Sequence, residues 1–163
     1  MEVISLIPKI IKRDSFQLVG YHLFTNLKEM EETSITDDTV SRLTNVAPKI
    51  ENRLGDHIYF LQIYPMMEQF NPFQDKYSQM IGYEVENAEH IPEDTMIYTV
   101  EENMYVCCKH TGPRTEIYNT YDYLYNTWMI ENRCIPLGYD MEVWNHTHTT
   151  DSEVEIYIAI NKI

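Results

Sequence analysis

Glu142 is the residue whose setting most invites chemistry. It stands within Tyr139-Asp-Met-Glu-Val-Trp144, in a run rich in apolar and aromatic side chains. A carboxylate among rings is costly to desolvate without a partner. Such a group suits either the grip of a flat cation or the holding and moving of a proton. Strand alternation puts Asp140, Glu142 and Trp144 on one face and Met141 and Val143 on the other. In the next segment, Val154, Ile156, Ile158 and Ile160 form a clean core face, opposite Glu153, Glu155, Tyr157 and Ala159. Antiparallel pairing of the two is expected to bring Trp144, Glu142 and Tyr157 together. The same pattern also accommodates Glu142 as a solvated residue on an open sheet face.

Other candidates are weaker. The helical stretch Tyr118–Trp128 is rich in aromatic residues, and a stripe at helical spacing is expected to be core, with Trp128 at its end as the exception. His146 and His148, with Asp151 nearby, resemble a chelating group, but they lie in a polar loop with no third ligand at a recognisable spacing, so no metal site is expected. Lys109-His110 has no nucleophile beside it. Cys107 and Cys108 are adjacent and would point to opposite faces of a strand, and Cys134 leaves an odd count; all three read as reduced thiols of a cytoplasmic protein. No phosphate-cradling glycine loop, nucleophile elbow or H-E-x-x-H motif occurs, and no cofactor is expected.

These residues need a scaffold, and the 163-residue chain is long enough to bury one core. Its balance of 26 acidic against 12 basic residues, net −14, disfavours direct binding of nucleic acid and would draw cations by long-range steering. No apolar run reaches the length of a membrane span, so no membrane contact is expected. Residues 3–11 and 16–24 read as strands, or as one long bent strand, and 26–36 as a solvated loop. A helix follows, with N-cap chemistry at Asp37 and Asp38, an interruption at Pro48 and a C-cap at Gly55. Residues 57–66 read as a buried strand. The second half repeats this order, with strands at 77–85, 95–100 and 103–110, a helix opened by Gly112-Pro113, and strands at 139–144 and 153–160. The expected class is α+β: two units side by side, about 1–75 and 76–163, with two main helices covering one face of an antiparallel sheet.

Four segments resemble the GyrI-like small-molecule-binding domain, the effector-binding domain of AraC- and MerR-type regulators: Met80-Ile-Gly-Tyr-Glu-Val85, Tyr105-Val-Cys-Cys-Lys-His-Thr-Gly-Pro113, Tyr121 to Trp128, and Tyr139–Trp144 with Asp151 and Glu155–Ile160. Ala159 stands where that family usually has proline. The resemblance implies two tandem strand-helix-strand-strand units with a central groove between them, which binds hydrophobic, often cationic or planar compounds. It places Glu142 at the glutamate facing that groove and carries over Trp144, Trp128, Tyr105 and Tyr157 as wall residues. It implies a single domain without the DNA-binding region of such regulators, acting in one of three ways. The first is a binding protein for a cationic aromatic ligand. The second is a hydrolase of electrophilic small molecules using Glu142. The third is an acidic inhibitor of a protein partner, such as gyrase, or a regulator acting in trans.

Overall fold

The computed structural model describes residues 7–144 and 153–163. The segment holding His146, His148 and Asp151 lies outside them. Among the described residues, eight strands form one antiparallel sheet in the order β1-β6-β8-β7-β3-β4-β2-β5. They are β1 (Lys9–Arg13), β2 (Phe16–Thr25), β3 (Ile58–Ile63), β4 (Tyr77–Val85), β5 (Met96–Val100), β6 (Asn103–His110), β7 (Cys134–Trp144) and β8 (Val154–Lys162). Two helices, α1 (Leu27–Glu32) and α2 (Ile35–Val46), follow β2. A third, α3 (Ile117–Tyr123), follows β6 and runs on through a π turn at Leu124–Trp128 into Met129–Glu131.

The order is nearly palindromic about the β7–β3 pair. Each half contributes a strand, its helical crossover and two further strands, and the edge strands are exchanged. β1, made first, pairs with β6, whereas β5 pairs with β2. Only Asp14 and Ser15 join β1 to β2, although β2 lies six places across the sheet. A flat sheet would separate these strands by roughly 29 Å at about 4.8 Å per strand. Two linking residues span no more than about 11 Å. The sheet must therefore curl until its edges approach each other. The packing agrees: Ile11 from β1 and Tyr98 and Val100 from β5 meet in one apolar cluster with Tyr59, Leu61, Tyr105 and Met141. Arg13 fastens this closure. Its guanidinium donates to Tyr59 Oη at 2.9 Å, pairs with Glu84 at 2.7 Å and lies 3.9 Å from the centre of the Phe16 ring.

The other sheet face carries the larger core, built from Leu43 and Ala47 below α2, Ile117, Leu124 and Met129 below α3, and Phe60, Ile81, Trp144, Ile156 and Ile158 from the sheet. Two local expectations change. Residues 27–32 form a helix rather than a solvated loop, because Asn26 Oδ1 accepts from Glu29 N at 2.8 Å and caps it. The following helix begins at Ile35, which leaves Asp37 and Asp38 in its first turn, where carboxylates favour the helix dipole. It ends at Val46, so Pro48 falls in a separate 3₁₀ turn and Gly55 lies beyond both. No helix of the described residues is long and apolar enough to cross a membrane.

Candidate functional site

The three central strands make a polar floor beneath α3. The register sets Gln62 of β3 between Gln79 of β4 and Asp140 of β7, and Phe60 between Ile81 and Glu142. Period-two alternation directs this set to the helix side. Helix α3 lies above it and presents Tyr118, Tyr121 and Tyr125, with the rings of the last two stacked at 6.4 Å. Tyr64, Phe70 and Tyr77 form a second aromatic wall with ring centres 5.1–6.1 Å apart. Together with Leu27 and Met30 of α1 and Met66, these residues bound a cavity of about 1020 Å³. That is the upper end of the range for small-molecule sites.

Two carboxylates occupy the floor. Glu142 accepts from Tyr121 Oη at 2.7 Å, from Trp144 Nε1 at 2.9 Å and from Gln62 Nε2 at 3.5 Å. Asp140, fully buried, accepts from Tyr125 Oη at 2.7 Å, from Tyr64 Oη at 2.9 Å and from Gln62 Nε2 at 3.0 Å. Gln62 thus bridges the pair. Neither carboxylate takes part in an ion pair between described residues. Burial pushes Asp140 up to about 7 against the opposing pull of its donors, and the charge of Glu142 adds to the rise. Burial also raises Glu142, while its three donors restrain it. The hydroxyls of Tyr64, Tyr121 and Tyr125 are held well above the usual phenol range, chiefly by burial and the adjoining carboxylates. They are therefore fixed as neutral donors. Such a site holds negative charge that is hydrogen-bonded but not neutralised, between aromatic rings. It can attract a cation by charge, stack it and exclude water.

The five residues expected to form the site separate. Glu142 and Trp144 line the cavity; the Trp144 ring is buried beside Phe60 while its N–H orients Glu142. Tyr157 does not join them. Glu142 pairs with Ile156, and Tyr157 pairs with Met141, which places Tyr157 on the opposite face. There it donates to Glu155 at 2.8 Å. Tyr105 is also on that face, buried in the second cluster and 3.2 Å from Tyr139 Oη. Trp128 packs against the main core rather than the cavity. Tyr121 and Tyr125 thus pack against the main core, as expected of the stripe, and wall the cavity as well, while the half-buried Trp128 packs against that core alone. A π turn rotates the chain less per residue than an α turn, so across Leu124–Trp128 the tryptophan falls back from the tyrosine stripe.

Sequence reasoning missed Asp140, Gln62, Gln79, Tyr64, Tyr121 and Tyr125 as cavity groups. Asp140 carried a signal, two residues before Glu142 on the same face. Gln62 carried another, as a lone amide in an apolar strand. His110 is a structural pin rather than a base. It is buried, with Nδ1 2.8 Å from Thr120 Oγ1 and Nε2 3.1 Å from the Pro113 carbonyl, and it fastens the Gly-Pro turn to α3.

A curled antiparallel sheet with a helix-roofed cavity is the architecture of GyrI-like effector-binding domains. Residues 9–160 match the family model described as Cass2, integron-associated effector binding protein, and the chain belongs to that family. Solved structures that share the fold include the following three. The integron cassette protein VCH_CASS2 from the mobile metagenome of Vibrio cholerae has a TM-score of 0.67 at 17% identity over 94% of this chain and 95% of that one. The EcmrR C-terminal domain has a TM-score of 0.70 at 12% identity over 97% and 99%. SAV2435 bound to tetraphenylphosphonium has a TM-score of 0.68 at 15% identity over 95% and 94%. Against the EcmrR chain of a DNA complex, the present chain spans 59% of the length. No curated protein matches it.

Proposed function

We propose that this effector-binding protein holds a hydrophobic, cationic aromatic molecule in the cavity beneath α3, with Glu142 and Asp140 supplying charge complementarity. The observation that carries this reading is the pair of buried, hydrogen-bonded carboxylates without a cationic partner among the described residues, set between the stacked Tyr121–Tyr125 rings and the Tyr64–Phe70–Tyr77 wall. Removing a charge from water and leaving it uncompensated is costly. A bound cation offsets that cost, and each cation–π contact adds about 0.5–2 kcal/mol. Membership of an effector-binding family supports the same reading.

The test is a fluorescence titration with a cationic dye such as a rhodamine. Glu142→Gln keeps the size and shape of the side chain but removes the charge and turns one acceptor into a donor, and is expected to weaken binding by roughly tenfold or more. An unchanged affinity in a folded variant refutes the assignment.

A second reading has one observation in its favour. Glu142, raised by burial and reached from the cavity, with the buried Asp140 pushed up to about 7 behind it, is suited to general acid–base work on an electrophile within the cavity. Under that reading, turnover of an electrophilic ester disappears in both Asp140→Asn and Glu142→Gln while dye binding by Asp140→Asn persists. Absence of any turnover by the parent protein eliminates it.

A further inference from the structure

Among the described residues, three buried side-chain polar atoms have no partner: Thr36 Oγ1, Gln62 Oε1 and Gln79 Oε1. All three belong to residues that line the cavity. An unpaired buried polar atom is uncommon in a native protein, and three among the residues lining one cavity, two of them amide oxygens side by side on β3 and β4, point to a ligand that completes them. Gln62 and Gln79 are 5% and 4% exposed and sit directly opposite each other on β3 and β4. The orientation of Gln62 is set by its neighbours. Its Nε2 is committed to Asp140 and Glu142, so its oxygen must face away from them. The hydroxyls of Tyr64, Tyr121 and Tyr125 are likewise committed as donors to the carboxylates. Beside the two carboxylates the floor therefore keeps two unpaired amide oxygens, those of Gln62 and Gln79, with the Gln79 Nε2 amide alongside. Charge alone attracts any cation to it, but only a cation with N–H groups satisfies the amide oxygens.

Resting on the cation-binding reading above, we propose that the cavity selects planar cations bearing N–H donors, namely aromatic amidinium or guanidinium compounds, over quaternary cations of equal charge. The flat fork of an amidinium can present N–H groups to adjacent oxygens on neighbouring strands while its ring enters the aromatic walls. A tetraalkylated head leaves those oxygens unpaired.

A matched pair of probes tests this: 2-naphthamidinium and its N,N,N′,N′-tetramethyl counterpart, with the same ring and charge. Isothermal titration of the full chain should show the N–H form binding about tenfold tighter or better. Gln79→Leu should reduce that preference to within about threefold by weakening the N–H form while sparing the tetramethyl form. If Gln79→Leu fails to fold, Gln79→Met serves the same purpose, and the comparison on the parent protein needs no variant. Equal binding of the two probes, or a preference untouched by the Gln79 substitutions, overturns this inference; Glu142→Gln weakening both probes would then leave the cation reading standing. If neither probe nor the rhodamine dye binds, both fail.

Discussion

Asp140 and Glu142 divide the work of one site through their surroundings. Glu142 is hydrogen-bonded by an indole and a phenol and remains partly accessible from the cavity, whereas Asp140 is sealed beneath two tyrosines and an amide. Because Asp140 is raised to about 7 from its ordinary 3.8, the folded protein binds this proton more tightly than the unfolded chain does. The unfolded chain therefore loses the proton first. Stability from this group is full below about pH 4, falls as pH rises through 7 and is level above that. Asp140→Asn is expected to flatten that decline and to raise the melting temperature at pH 8 relative to the parent. Melting curves at pH 5 and pH 8 check this, and an unchanged pH profile counts against it. At this scale the sequence was partly legible. The aromatic setting of Glu142 and the face it shares with Asp140 and Trp144 can be read from alternation. What could not be read is which phenols are spent on which carboxylate, because the donors come from residues as distant as Tyr64 and Tyr125.

The elements show where periodicity suffices and where it breaks. Strands 77–85 and 103–110 carry β-branched and aromatic residues in their interiors and occur at the expected positions. The long β7 does not. Its pairing with β8 is interrupted between Pro136 and Asp140, and local pattern is blind to that irregularity. The placement of Trp128 was hidden for a related reason, since the π turn changes the rotation per residue and turns it away from the cavity. Register also decided Tyr157: a slip of one residue exchanges faces, and strand composition does not specify it. The backbones leave no room for side chains in the β2–β4 pair, where Gly20 and Gly82 face each other. A Cβ at Gly20 would meet the Ile81 carbonyl oxygen at 2.0 Å, and one at Gly82 would meet the Val19 oxygen at 2.5 Å. Either Gly→Ala substitution is expected to cost about 1–3 kcal/mol by forcing the strands apart. Urea denaturation at equilibrium measures this, and a loss below about 0.5 kcal/mol in both variants contradicts it.

For the whole molecule, charge and closure matter most. A net charge of −14 surrounds a cavity that itself holds carboxylates, so the approach of a cation is steered from a distance. Stopped-flow association of a cationic dye is expected to slow several-fold as salt rises from about 20 to 300 mM, with little change in dissociation, because exposed charges are screened beyond about 10 Å at 0.1 M. A salt-independent association rate would limit the surface charge to a solubility role. Composition made this charge plain, and the order of elements suggested an α+β sheet. The exchange of edge strands could not be anticipated, since nothing in Lys9–Arg13 names Asn103–Cys107 as its mate. That exchange governs how the chain can be assembled. On the ribosome the first strand emerges long before its partner, so β1 must wait, unpaired, until most of the protein has been made. The sheet is thus sealed late, by its earliest residues, and amide protons along β1 should be among the last to gain protection from exchange during refolding.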